Sequence, residues 1–124
     1  MNLYESSEDY LETILILNNK LGKVRSIDIV EFLNFSKPSV SVAMKKLREN
    51  GYINVDKKGY ITLTDVGYEV ASRTYERHLI LTDLFVSLGV DKEIAEKDAC
   101  RVEHNLSPET FEAIKKIVQE ISCS

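Results

Sequence analysis

The segment Asp98 to Ser107, "DACRVEHNLS", places a thiol, a carboxylate and an imidazole close together in the sequence. Cys100, Glu103 and His104 are spaced i, i+3 and i+4, so in a helix their side chains would share one face. All three side-chain types are ligands of divalent transition metals. The spacing leaves two interpretations open: half of a metal site, or three structural residues, because a buried cysteine often serves as a small hydrophobic side chain.

Other candidate ligands stand in two further predicted helices. Asp9 and Glu12 are three residues apart near the start of the chain, so their carboxylates share a helix face. His78 lies midway along a predicted long helix, in "YERHLIL". Together these six side chains could surround one or two divalent ions. The structural alternatives are a capping box for Asp9, a solvated charge for Glu12 and a core histidine for His78.

Capping signals at the start of the chain predict two helices. Ser6 or Ser7 is predicted to cap the first helix, with Asp9 completing a capping box, and Gly22 is predicted to end it. Ser26 is predicted to cap a short second helix, "IDIVEFL", which a tight "NFS" connection follows.

The pattern then changes from helix to hairpin. A third helix is predicted from Lys37 and Pro38 to about residue 50, with one buried face made of Val40, Met44 and Leu47. The next segment, "YINVDKKGYITLT", has two β-rich runs around the turn "DKKG", where Gly59 can adopt a positive φ. This segment predicts a two-stranded hairpin.

Three further helices are predicted after the hairpin. Thr64 and Asp65 begin a long helix that Gly89 ends, a fifth helix spans about residues 91–105, and Ser107 with Pro108 opens a sixth, to about residue 121. We therefore expect a mainly α chain. Residues 1–64 would form a winged helix-turn-helix of three helices plus a β-hairpin. Residues 65–124 would form an α-helical domain in which 65–88 are a long linking helix.

Composition restricts the class of protein. The 124 residues include 44% hydrophobic side chains, enough for a core. No apolar run approaches the roughly 18 residues that a membrane span needs, and the acidic N-terminus is unlike a signal peptide. We therefore expect a cytoplasmic protein without a membrane partner, whose two cysteines, Cys100 and Cys123, are reduced.

Charge is unevenly distributed along the chain. The formal net charge is −4, yet residues 20–64 carry nine Lys or Arg against four Asp or Glu. Because association responds to the local field, a basic middle segment is compatible with binding to nucleic-acid phosphates. A mixed soluble surface is the alternative.

The outward face of the third helix and the hairpin turn form a candidate DNA-binding surface. Small hydroxyl residues near a helix start can bond phosphates or base edges, and lysines can neutralise phosphates. A solvated helix beside a lysine-rich turn would be the structural alternative. The candidate residues are Arg25, Ser36, Lys37, Ser39, Ser41, Val42, Lys45, Lys46, Lys57 and Lys58.

Five segments together resemble the metal-dependent repressors of the diphtheria toxin repressor and manganese transport regulator family. They run through nearly the whole chain: "SSEDYLETI", "SKPSVSVAMKKLRENGYI", "GYITLTDVG", "ERHLILTDLFVSLGV" and "DACRVEHNLSPET". The resemblance implies that the helical domain binds metal and forms the dimer. It also implies a homodimer that binds double-stranded operator DNA, is not an enzyme, and represses metal-uptake genes.

The resemblance also assigns the metal ligands: Asp9, Glu12, His78, Cys100, Glu103 and His104. Cys100 departs from manganese-type members, which resemble "E-x-x-E-H" at that point, and is similar to the iron-responsive branch. That branch usually has methionine at the position of Asp9, so the ligand set is a hybrid. The implied metal is Fe²⁺ or Mn²⁺, with a slight preference for Fe²⁺, while Zn²⁺, Co²⁺ or Ni²⁺ could bind in vitro. We expect the short form of the family, without an additional C-terminal domain.

Two alternatives from other classes remain. A winged-helix regulator could sense a small organic ligand, with the acidic residues and histidines serving structure only. A small metalloenzyme could use the same side chains hydrolytically, but the sequence has no H-E-x-x-H arrangement.

Overall fold

The computed structural model describes residues 5–123, and side chains over residues 6–121. This part of the chain forms six helices and a two-stranded antiparallel sheet. The elements are α1 (Glu5–Leu21), α2 (Ser26–Leu33), α3 (Lys37–Glu49), β1 (Ile53–Val55), β2 (Ile61–Leu63), α4 (Asp65–Ser87), α5 (Lys92–Val102) and α6 (Pro108–Cys123). The chain divides into two compact units between Arg73 and Thr74, within α4.

The first unit holds the three helices and the hairpin in the predicted order. α1 buries its apolar face, with Leu11 and Ile14 fully inaccessible to solvent. The predicted inner face of α3 is confirmed, since Val40, Met44 and Leu47 are all buried. Each such aliphatic side chain contributes about 1.5–3 kcal/mol to folding through the area it removes from water. This packing leaves the opposite face of α3 to solvent.

Two predicted helix caps are wrong. α1 already includes Glu5, so Ser6 and Ser7 lie within the helix and do not cap it. α2 begins one residue earlier than predicted, with Arg25 as its N-cap. The backbone N–H of Arg25 donates to the Asp28 carboxylate at 2.9 Å, so the acidic residue in the first turn selects the start of the helix.

The β-hairpin is closed by a hydrogen-bonded turn. The Asp56 carboxylate accepts the backbone N–H groups of Lys58 and Tyr60, each at 2.9 Å, and Gly59 has φ +86°. The N–H of Ile61 also donates to the carbonyl of Val24 at 2.7 Å. The hairpin is thereby tied to the segment before α2, and its place after α3 confirms the predicted winged helix-turn-helix.

Thr64 fixes the start of α4, as predicted. Its hydroxyl donates to the carbonyl of Gly51 at 2.7 Å and accepts the N–H of Gly67 at 3.1 Å. A Cβ atom at Gly67 would meet the carbonyl of Tyr52, so this position tolerates no side chain without movement of the backbone. The close approach joins the first turn of α4 to the segment before β1.

The second unit contains the rest of α4, with α5 and α6. α5 ends at Val102, so the prediction that it reaches residue 105 is wrong. Asn105 ends the helix early, because its backbone N–H donates to the Val102 carbonyl and its side-chain amide donates to the Arg101 carbonyl. Ser107 caps α6 as predicted, accepting the N–H of Thr110 at 3.1 Å.

The core of the second unit includes Leu81, Ala95, Ala99, Phe111 and Val118. In the part of the chain that the structure describes, no helix combines the length and apolar character needed to cross a bilayer. The domain boundary expected between residues 64 and 65 stays a prediction.

Candidate metal centre and nucleic-acid interface

A carboxylate between two imidazoles forms the chemical centre of the second unit. Glu103 is only 1% exposed. Its Oε2 lies 3.0 Å from Nδ1 of His78, and its Oε1 lies 3.4 Å from Nε2 of His104. The His104 side chain is nearly buried, while that of His78 is partly accessible. Three of the six predicted ligands are therefore brought together here.

Local structure explains how these three side chains meet. His78 lies in α4, whereas Glu103 is the C-cap of α5 and its N–H donates to the carbonyl of Ala99 at 2.9 Å. Glu103 retains helical φ and ψ angles, but His104 lies in the turn that follows. The prediction that one helix carries Cys100, Glu103 and His104 therefore holds for Cys100 and for Glu103 as the C-cap, and it is wrong for His104.

Cys100 lies in α5, three residues before Glu103, and its side chain is half-buried. Among the described residues its sulfur is in no disulfide. Cys123 ends α6, and its side chain falls outside those described.

The donor atoms of this unit fit a divalent transition metal. A buried carboxylate is costly unless a cation or hydrogen-bond donors compensate it, and the two imidazoles beside Glu103 are side chains that also bind metals. Cys100 adds a sulfur donor on the same short segment. Oxygen, nitrogen and sulfur donors together suit Fe²⁺, Co²⁺ or Zn²⁺ better than they suit Mg²⁺ or Ca²⁺.

The remaining predicted ligands, Asp9 and Glu12, lie in the first unit. Both belong to α1 and stand one turn apart. Glu12 is 8% exposed, so its interpretation as a solvated helix charge is wrong, and Asp9 is half-buried. Carboxylates this inaccessible are uncommon unless they have a partner, which favours a specific role for this pair.

All ten predicted DNA-binding residues are exposed in the first unit. Six of them, with Ser36 as N-cap, belong to the accessible side of α3: Lys37, Ser39, Ser41, Val42, Lys45 and Lys46. Ser36 accepts the N–H of Ser39 at 3.3 Å, and the two hydroxyl groups are 2.8 Å apart. Part of the hydroxyl cluster at the start of α3 thus stabilises the helix end itself.

A basic and aromatic cluster beside the hairpin turn was only partly predicted. The Lys23 ammonium and the Arg25 guanidinium lie 4.9 Å and 4.5 Å from the ring centroid of Tyr60. Cations at these distances are attracted to the ring face, so Tyr60 orients the predicted Arg25. The aromatic residue directly after the turn "DKKG" was the available sequence signal.

Arg48 was missed as well. It lines a cavity of about 260 Å³ beside the predicted Ser41 and Lys45, together with Ser26, Met44 and Val55. Ser41, Lys45 and Arg48 are spaced i, i+4 and i+7, so helical periodicity could have identified them as one face. The result is a polar and basic recess between α3, the start of α2 and β1.

Two family models match nearly the whole chain. Residues 2–61 match "Iron dependent repressor, N-terminal DNA binding domain", and residues 64–123 match "Iron dependent repressor, metal binding and dimerisation domain". These matches favour a metal-responsive regulator over the alternative that senses a small organic ligand.

Individual relatives agree with the family models. The transcriptional regulator MntR of Escherichia coli O6:H1 is 34% identical over 94% of this chain and 75% of its own length. An uncharacterised HTH-type transcriptional regulator of Methanocaldococcus jannaschii is 33% identical over 94% of both chains. The solved structure of the manganese regulator SloR has a TM-score of 0.79 and 30% identity over 96% of this chain. The present chain spans about half of SloR, 55% of its length.

Proposed function

The chain belongs to the iron-dependent repressor family, and we propose that it represses metal-uptake genes when a divalent metal ion promotes operator binding by its homodimer. The observation that carries this proposal is the buried Glu103 carboxylate, with His78 and His104 at 3.0 and 3.4 Å. The matched family models describe DNA-binding, metal-binding and dimerisation domains. We assign these roles to residues 1–64 and 65–124.

We propose that the metal ligands are those predicted: Asp9, Glu12, His78, Cys100, Glu103 and His104. Asp9 and Glu12 belong to the unit that carries the DNA-binding surface, and the other four belong to the second unit. When bound, a divalent ion would supply positive charge that offsets the repulsion among three carboxylates. A ligand set drawn from both units would let metal occupancy restrict the placement of α3.

The size of this effect depends on a population shift. Without metal, the carboxylates of Asp9, Glu12 and Glu103 disfavour arrangements that bring them together. The factor by which metal increases DNA affinity cannot exceed the ratio of the metal affinities of the DNA-competent arrangement and the other arrangements. In a homodimer, two copies of α3 must be placed about 34 Å apart, one helical turn of DNA, so restricting their positions raises affinity.

For the metal we propose Fe²⁺ or Mn²⁺. Relatives are named as manganese regulators, and the family models are named for iron. The Cys100 thiolate is a softer ligand than a carboxylate and shifts the preference toward Fe²⁺. Zn²⁺, Co²⁺ and Ni²⁺ would compete in vitro because divalent affinities rise along the first transition row.

For the DNA contact we propose the accessible side of α3, with the hairpin turn reaching the neighbouring backbone. Lys45 and Lys46 would neutralise phosphates, while Ser39, Ser41 and Val42 would approach base edges. Lys57 and Lys58 at the tip of the turn would add phosphate contacts. We assign no catalytic role to any of these residues and propose that the protein acts in the cytoplasm, where its DNA target is found.

A selection experiment tests the proposal. Duplexes would be selected from a random-sequence pool by the full chain under anaerobic, reducing conditions with Mn²⁺ or Fe²⁺. We expect enrichment of a sequence with two-fold symmetry whose affinity falls on chelation. Enrichment that is indifferent to chelation and to both metals would contradict the metal switch.

The Cys100→Glu variant, measured in parallel, tests the source of metal preference. We expect it to respond more strongly to Mn²⁺ and less strongly to Fe²⁺ than the wild-type chain does, because a carboxylate replaces the thiolate. An unchanged metal preference would remove Cys100 from the proposed ligand set.

A further inference from the structure

Arg77 directly precedes His78 in α4 and reaches the turn between α5 and α6. Its Nη1 donates to the carbonyl of Glu103 at 3.1 Å and to the carbonyl of Leu106 at 2.8 Å. Its guanidinium carbon lies 5.2 Å from the ring centroid of Phe111, which is buried. One side chain therefore binds both ends of the turn that contains His104.

The carbonyl groups of this turn accept hydrogen bonds from two different parts of the chain. Asn105 provides the donors for the carbonyls of Arg101 and Val102, both within the last turn of α5. Arg77 provides a donor for the carbonyls of Glu103 and Leu106. Asn105 thus bonds the carbonyls at the end of α5, and Arg77 of α4 bonds the carbonyls of Glu103 and Leu106, which follow α5 in the chain.

The charge of Arg77 suits this place. The last carbonyls of a helix carry partial negative charge, so a cation at the C-terminus of α5 is stabilised there. The Phe111 ring adds a second favourable contact for a half-buried guanidinium. Lysine could supply the charge and the N–H donors, but its ammonium lacks the planar guanidinium that stacks on the Phe111 ring while Nη1 bonds the two carbonyls.

We infer that Arg77 is a positioning residue for the proposed metal site: it holds the turn so that the Glu103 carboxylate lies beside the imidazoles of both His78 and His104. This inference rests on the proposed function. Arg77 acts on the backbone of Glu103, while His78 acts on the side chain of the same residue at 3.0 Å. Two successive residues of α4, Arg77 and His78, thereby fix the position of Glu103, one through its backbone and the other through its side chain.

The test compares Arg77→Lys with Lys115→Met. Lys115 also joins α6 to α4, through a 3.0 Å ion pair with Glu76, and among the hydrogen bonds and ion pairs of the described residues Arg77 rather than Lys115 bonds the turn. In calorimetric titrations with Mn²⁺, we expect Arg77→Lys to bind about tenfold more weakly than wild type, the size typical for groups that orient metal ligands. Lys115→Met should bind Mn²⁺ as the wild type does.

A second measurement uses the metal-free protein. The chain contains two histidines, and both lie beside Glu103, so their imidazole NMR signals report on this turn without interference. We expect Arg77→Lys to shift or broaden both signals and Lys115→Met to leave them unchanged, even where both variants lose thermal stability. A loss of stability without a change at the imidazoles would assign Arg77 a purely structural role and overturn the inference.

A milder variant, Phe111→Leu, removes the ring beneath the guanidinium and keeps an apolar core residue. We expect it to weaken Mn²⁺ binding in the same direction by a smaller factor. If wild type binds Mn²⁺ and Arg77→Lys binds it equally well, the inference about Arg77 fails. If the wild type itself binds neither Mn²⁺ nor Fe²⁺, the proposed function fails instead.

Discussion

Glu103 Oε2 lies 3.0 Å from His78 Nδ1, so a carboxylate at the end of α5 meets an imidazole from the middle of α4. The two residues are 25 positions apart in the chain. A buried carboxylate in such a pair has lost most of its hydration, and its remaining partners determine whether the charge is tolerated. This relationship makes Glu103 the most informative residue to change.

The variant Glu103→Gln retains the shape of the side chain and removes its charge. We expect the affinity for Mn²⁺, measured by calorimetry, to fall at least about tenfold. Removing a group that only orients a metal ligand already weakens metal binding by about this factor. Far-ultraviolet circular dichroism should remain that of a folded helical protein. The matched control is Glu93→Gln, an exposed change on α5. Equal Mn²⁺ affinities for Glu103→Gln and wild type would exclude Glu103 as a ligand.

The double variant Lys45→Ala, Lys46→Ala tests the exposed side of α3. We expect weaker binding to the selected duplex and a salt dependence whose logarithmic slope is smaller by about four, because the homodimer loses two phosphate-neutralising lysines from each of its two copies of α3. Lys92→Ala with Lys97→Ala removes the same charge from exposed positions on α5. A salt slope equal to that of wild type would show that this side of α3 does not bind phosphates.

Gly67→Ala tests the close approach at the start of α4. The added Cβ would meet the carbonyl of Tyr52, which is backbone and cannot rotate away. We expect a loss of about 1–3 kcal/mol in the free energy of unfolding, in the range of other overpacked sites. Urea unfolding measures it, with the exposed Glu69→Ala on the same helix as the control. A variant as stable as wild type would show that the first turn of α4 moves freely.

The buried phenol of Tyr10 is expected to make the first unit less stable to unfolding at alkaline pH. Burial raises the pKa of the Tyr10 phenol above its usual value of 10.0. Above pH 10 the unfolded chain therefore ionises this group before the folded chain does, so stability falls as pH rises through that range. Urea unfolding at pH 8 and pH 11 should show a smaller loss for Tyr10→Phe than for wild type. Tyr68→Phe, at a residue 57% exposed, should lose as much as wild type does; a Tyr10→Phe variant that does the same would contradict this assignment.

Features that depend on neighbouring residues were predictable from the sequence. Gly22 ends α1 with φ +82°, and Ser107 caps α6 by accepting the N–H of Thr110. Both effects involve only residues within one helical turn, so the local sequence is enough to predict them. The spacing of Val40, Met44 and Leu47 identified the buried side of α3 for the same reason. Where two local signals compete, prediction fails: Asp28 makes Arg25 the cap of α2, although Ser26 is the better capping residue.

Features that depend on distant residues were not predictable in this way. Helical spacing placed Glu12 on an amphipathic helix but did not reveal that its carboxylate is buried. The bonds from Arg77 to the carbonyls of Glu103 and Leu106 span 26 and 29 positions, and backbone acceptors carry no sequence signature. The cations around Tyr60 depend on how the hairpin folds toward the segment before α2.

Val42 is the one aliphatic side chain among the polar candidates on the accessible side of α3, and it is 55% exposed. An apolar side chain such as that of Val42 gains no favourable contact from a phosphate or from a hydrogen-bond donor on a base edge. It can pack against the C5-methyl group of thymine. If α3 enters the major groove as we propose, this position favours thymine over cytosine. The choice of target genes would then depend in part on a methyl group, and substitution of this single valine would be a direct route to a regulator with a different set of promoters.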